Sequence, residues 1–229
     1  FKLKYISAGP LATPELSVEQ AFNEIIHFAQ ISKNGTAYAK EAINEADTDV
    51  FETLREKLVK YEEISDRIEY EIATFLNGVS AEEISESTSR KVKAMYKIVG
   101  ELESLGDSGE TISRILSRKN IHKKTFDAES IKDLNIMADA VLSAYDVMIA
   151  NLTAAHKGEL ESITNAYNAE DRLNTLRNNF RDAVIEDIDN AGKNYQTSVY
   201  YMDIMNTYER MGDFMSNISQ DLERAFIRK

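Results

Sequence analysis

Apolar residues recur along this chain at alternating intervals of four and three, the spacing that lays one stripe down the side of a helix. The first stripe runs Val18, Phe22, Ile25, Ala29, Ser32, Thr36, Ala39, Ile43 and Ala46, with Ser17 and Gln20 reading as a capping box at its start. Its polar steps at Ser32 and Thr36, around Asn34-Gly35, predict a kink or thinner packing there. Asp47-Thr48-Asp49 restarts the pattern as Phe51, Leu54, Leu58, Tyr61, Ser65, Ile68, Ile72, Phe75 and Val79, and Asn77-Gly78 reads as its stop. Ser80, with Glu83 three residues on, reads as the cap of a third helix whose stripe is Met95, Ile98, Leu102, Leu105, Gly109, Ile112 and Leu116. Ser117 to Lys124 then breaks the period.

Beyond that break the plan repeats. Ile131, Leu134, Ala138, Val141, Tyr145, Met148 and Leu152 mark a fourth helix, and Ala166, Ala169, Leu173, Leu176, Phe180 and Ala183 a fifth. After Ala191-Gly192 a sixth carries Tyr201, Ile204, Tyr208, Met211, Met215, Ile218 and Leu222. Stripes stepping by three and four imply shallow, coiled-coil-like crossings. The expected fold is all-α, with six long antiparallel helices in two tandem three-helix bundles. The divisions are an arm or linker over 1–16, a first repeat over 17–118, an inter-repeat linker over 119–127 and a second repeat over 128–229. Turn signals between the stripes argue against one long sensor-type hairpin.

The halves also share a motif. Glu103-Ser104-Leu105-Gly106-Asp107 returns as Glu209-Arg210-Met211-Gly212-Asp213, 106 residues later. A glycine inside a helix costs about 1 kcal/mol against alanine, so one at the same place twice implies that a neighbouring helix comes close at Gly106 and Gly212. Residues four apart share a helix face, which sets the Glu and Asp of each copy side by side. Glu62, Asp66 and Glu69 form one acid row beside the second stripe, and Glu103, Asp107 and Glu110 form another beside the third. Two such rows facing one another would suit a hard cation such as Mg, Mn or Fe through oxygen ligands. The competing reading is an ordinary solvated acidic flank. The second half offers Glu209 and Asp213 against Tyr167, Glu170, Asn174 and Arg177, where a guanidinium would repel a cation.

Composition narrows the classes. The 229 residues carry 27 basic and 39 acidic side chains, a net charge of −12, which argues against nucleic acid as a partner. The absence of cysteine excludes disulfides, thiolate metal sites and cysteine catalysis. No uninterrupted apolar run reaches the roughly 18 residues of a membrane span, and no signal peptide is visible. The chain opens on Phe1 rather than Met, as a fragment of a longer polypeptide would. Glu24-Ile25-Ile26-His27 is half of a di-iron bundle motif, but neither His122 nor His156 supplies the second Glu-x-x-His, so it reads as chance. The basic run Arg118, Lys119, Lys123 and Lys124 reads as a solvated linker, and Met202, Met205, Met211 and Met215 as core filling. With no recognisable nucleophile elbow or phosphate loop, an enzyme is not expected.

Glu209-x-x-Gly212-Asp213 followed by Asn217-Ile218 resembles the signature of the phosphate-transport regulator (PhoU) family, and Asp66-Arg67-Ile68-Glu69-Tyr70-Glu71-Ile72 with Phe75-Leu76 resembles its second-helix motif. The segment from Gly9 to Leu16 resembles the linker that joins the membrane half of sodium/phosphate cotransporter family proteins to a cytoplasmic PhoU-like tail. The likeness covers residues from about 9 to the end. It implies a paired three-helix bundle acting as a regulatory domain of phosphate transport at the cytoplasmic face of the bacterial inner membrane, or else a free-standing phosphate-uptake regulator. The implied partners are the membrane transporter half of the same polypeptide and a second copy in a homo-dimer. Some PhoU-like proteins bind metal clusters through Glu/Asp-x-x-x-Asp motifs, which Glu62/Asp66, Glu103/Asp107 and Glu209/Asp213 fit here; the family-like Asn217 has Thr111 as its first-half counterpart.

Overall fold

The computed structural model describes residues 2–6, 13–191 and 194–227. The helices are α1 (Pro14–Asn44), α2 (Thr48–Ser80), α3 (Glu86–Ile121), α4 (Ala128–Lys157), α5 (Thr164–Ala191) and α6 (Tyr195–Phe226), with no strand among the described residues. Gly9 to Ala12 of the expected linker, and Gly192, lie outside the described residues.

The stripes form the core. Ile25, Ile68, Ile72, Ile98, Leu102, Leu105, Ile112, Leu134, Val141, Tyr145, Ile204, Tyr208 and Leu222 are all fully buried. Several ends differ from their local signals. Thr13 caps α1, accepting from the Leu16 N–H, and Pro14 opens the helix where its missing N–H has no partner to lose; Ser17 is therefore inside the first turn, and buried. Ala46 lies exposed beyond the end of α1. α2 runs through Asn77-Gly78 to Ser80 because Val79 is buried and the Tyr96 hydroxyl of α3 donates to Asn77. Ser85, not Ser80, then caps α3 through the Thr88 N–H, and α3 continues to Ile121.

α1, α2 and α3 pack on one another, as do α4, α5 and α6. The halves meet through α1 on α4 and α3 on α6, which leaves α2 and α5 as outer helices. The 106-residue offset governs the α1–α4 seam. Lys33 pairs with Asp146 and Lys40 with Asp139, and adding 106 to each lysine number gives the other pair's aspartate. Helix α1 stays continuous through Gly35, and the expected thin packing takes the form of close approach: a Cβ on Gly109 of α3 would lie 3.5 Å from the Gly35 carbonyl oxygen. Ser32 and Thr36 use their hydroxyls instead of packing area, bonding the Tyr145 hydroxyl of α4 at 2.7 and 3.2 Å. Burial pushes that phenol up to about 12. α4 is long and apolar enough by composition to cross a membrane, yet half of that stretch is buried among the other helices. It is placed as a core helix.

Glu24, inside the bundle at 0 % exposure, has a structural partner that local pattern hid. Its Oε2 accepts the backbone N–H groups of Lys4, Tyr5 and Ile6 at 2.9, 2.6 and 3.4 Å, while Oε1 meets His27 Nδ1 at 3.1 Å. Residues 2–6 are thus pinned on α1 with Leu3 buried. Glu24→Ala should release this arm, lower stability by about 1–3 kcal/mol, and speed tryptic cleavage after Lys4; unchanged cleavage would show that Leu3 alone holds the segment.

Candidate functional site

The acid rows of α2 and α3 are drawn together by one close contact. A Cβ on Gly106 would fall 2.1 Å from Ser65 Oγ and 2.6 Å from Ser65 Cβ, so only glycine lets the two helices run this near. Asp66 and Asp107 each follow a residue of that contact. As a result Glu62, Asp66 and Asp107 present carboxylate oxygens that all lie within 4.8 Å of one another.

The electrostatics follow from the crowding. Burial, then the charge of Glu103 and a hydrogen bond to it, then Asp66 and Glu62, raise Asp107 from its ordinary 3.8 to about 7. Glu62 is also raised, first by burial, then by Asp66, Glu110, Glu63 and Glu103. Asp107 Oδ1 is buried and has no hydrogen-bond partner. A donor set of carboxylate oxygens with one buried oxygen unsatisfied fits a hard cation. Glu103 stands beside Asp107, and Glu110 is held by Arg114 at 2.9 Å on its own helix. Glu69, one turn further along α2, does not join the group.

In the second half, α5 sends Arg177 across to Glu209 at 3.4 Å, and Ser216 donates to Glu170. Asp213 is still raised, first by burial and then by Glu209 and Glu170, but Arg177 and Arg210 pull it back. Here Glu209 is paired from within, by a guanidinium that α2 does not supply to the first half. Gly212 makes the matching close approach, its Cβ position 2.7 Å from Leu173 Cδ1. Leucine in place of the serine at this contact, with Asn174 and Arg177 following it, is what separates the two halves chemically.

The PhoU domain model matches residues 25–116 and 134–222. Among solved structures, PhoU from Pseudomonas aeruginosa superposes with a TM-score of 0.80 at 12% identity, covering 92% of this chain and 97% of that one. The phosphate transport system regulatory protein PhoU from Streptococcus pneumoniae gives a TM-score of 0.76 at 15% identity, covering 95% and 100%. At such identities these structures establish the fold and nothing finer. No curated protein sequence matches the chain.

Proposed function

Because this chain belongs to the PhoU domain family, matched in both halves, we propose that it is a regulator of phosphate transport and acts through binding rather than catalysis. The family match over residues 25–116 and 134–222 carries this reading. The acid group refines it. Glu62, Asp66 and Asp107, with Glu103 beside them, would hold a hard cation such as Mg, Mn or Fe. A bound cation there would supply positive charge that lets the α2–α3 carboxylates ionise together. Glu209 and Asp213 are left out, since Arg177 already neutralises Glu209.

Two forms of the regulator are distinguishable. Both matched solved structures are of PhoU proteins by name, which supports a free-standing regulator. The Gly9 to Leu16 segment favours a cytoplasmic tail on a sodium/phosphate cotransporter-like protein. Reading the gene upstream of the Phe1 codon separates them, because transmembrane helices encoded there support the tail. Deleting the gene should alter how uptake of radiolabelled phosphate falls as external phosphate rises. Uptake curves that superpose on the parent strain's would overturn the regulatory role.

A further inference from the structure

The 106-residue offset also organises the α3–α6 seam, and it sets up two related grooves of opposite electrostatic character. Thr111 of α3 and Thr207 of α6 line one groove. Their offset counterparts, Asn217 and Glu101, line the other and are hydrogen-bonded at 3.2 Å. The helices therefore run antiparallel about a local two-fold axis near Gly106 and Gly212.

The grooves share a frame, yet their charges differ. In the Glu101 groove, of about 470 Å³, Lys97 and Arg224 are balanced by Glu101 and Asp221. In the Thr111 groove, of about 660 Å³, Arg114 and Arg118 of α3, Arg210 of α6 and Arg55 of α2 converge against the single carboxylate Asp203. Four guanidinium groups in one cleft run against the composition of a chain whose net charge is −12. Arg55 and Arg114 pair with Glu52 and Glu110 on their own helices at 2.7 and 2.9 Å, contacts of low worth at a solvated surface that leave other N–H groups free. Among the described residues Arg118 and Arg210 form no ion pair. Arg210 lies over the Phe214 ring at 5.9 Å.

We propose that the α3–α6 groove walled by Arg55, Arg114, Arg118 and Arg210 binds a multiply charged phosphate anion, of the class of pyrophosphate, tripolyphosphate or the phosphate chain of a nucleotide. Guanidinium forks match phosphoryl oxygens bidentately, and the Thr111 hydroxyl, which accepts from Arg114 Nη2 at 3.3 Å, keeps its own proton to donate, whereas Thr207 donates to the Asp203 carbonyl at 2.8 Å. Arg55 and Arg114 are shared with Glu52 and Glu110, while Arg118 and Arg210 face the groove with Asp203 as its lining carboxylate, so a ligand with several charged oxygens engages more of these groups than a singly charged one. No aromatic side chain lines this groove, so nothing is offered for a base to stack on, and recognition rests on the phosphate chain. The proposal goes beyond the metal reading and needs no cation at the α2–α3 acids.

Calorimetric titration of the whole chain with tripolyphosphate, in metal-free buffer at near-physiological salt, tests it. Saturable one-to-one binding is expected, with ATP binding as tightly as tripolyphosphate. The exposed pair Arg118→Gln/Arg210→Gln should weaken it by about tenfold or more, while Lys97→Gln/Arg224→Gln in the related groove should leave it unchanged. The absence of saturable binding overturns the proposal, and so does equal loss in both double variants. Hexaglutamate binding as tightly as tripolyphosphate would overturn it too, assigning the groove to an acidic protein segment.

Discussion

Leucine at Gly106 should destabilise the protein by about 3 kcal/mol, a drop in melting temperature on the order of 10 °C for a chain of this size. The reason is local and severe. Even a Cβ there would sit 2.1 Å from Ser65 Oγ and 2.6 Å from Ser65 Cβ, so α2 and α3 must separate. Gly106→Ala should still be destabilising, although it recovers about 1 kcal/mol of helix propensity. Ser65→Gly should rescue much of that loss, because it removes both clashing atoms. Gly212→Ala should be close to neutral, since its nearest obstacle is the flexible end of Leu173 at 2.7 Å. Thermal melts of the four variants check this. Equal behaviour of Gly106→Ala and Gly212→Ala would show that the α2–α3 contact is looser than the geometry requires.

The second large effect is expected at Asp107. Its folded-state pKa of about 7 lies above the ordinary 3.8, with burial and Glu103 as the leading causes. A carboxyl group raised on folding contributes stability that is present in full below about pH 4 and is lost as pH rises through about 7. The metal-free protein should therefore weaken between those values. Asp107→Asn, which keeps the shape and removes the charge, should flatten the profile and exceed the parent at pH 8 by about 1 kcal/mol, a figure discounted for the group's partial exposure. Adding Mn²⁺ or Mg²⁺ should reverse the order. A cation that binds only the folded parent raises its stability by about 2.7 kcal/mol at a hundred times the dissociation constant, and the variant should lose most of that gain. Melts at pH 5 and pH 8, with and without metal, provide the measurement. Parent and variant shifting equally with metal would leave the acid rows a solvated flank. Because Gly106→Leu drives Asp66 away from Asp107, it should lose the metal effect as well.

Six helices and their inward faces were legible because helical period is a local property, written in steps of three and four. α5 is the instructive exception. Leu176 and Phe180 are only half-buried, and Val184 takes the inward place that the stripe assigned to Ala183. An outer helix that, among the described residues, touches α4 and α6 alone needs a narrower apolar face, so its phase is weakly marked. Helix ends were read less well, since Val79 and Tyr96 hold α2 together past its own stop signal.

The sequence by itself determined the duplication, the six helical stripes, the acid rows and the two glycines at which helices come close, because each is carried by spacing within one helix or by repetition along the chain. Tertiary structure alone decided which acids meet. Glu62, Asp66 and Asp107 converge at the Ser65–Gly106 contact while Glu69 does not, and Arg177 reaches Glu209 from another helix. It also turned Glu24 from a chance motif into the clamp for residues 2–6 and gathered arginines from α2, α3 and α6 into one groove. In each case the interacting groups come from separate segments, and their distance depends on how closely two backbones pack, which no local spacing encodes.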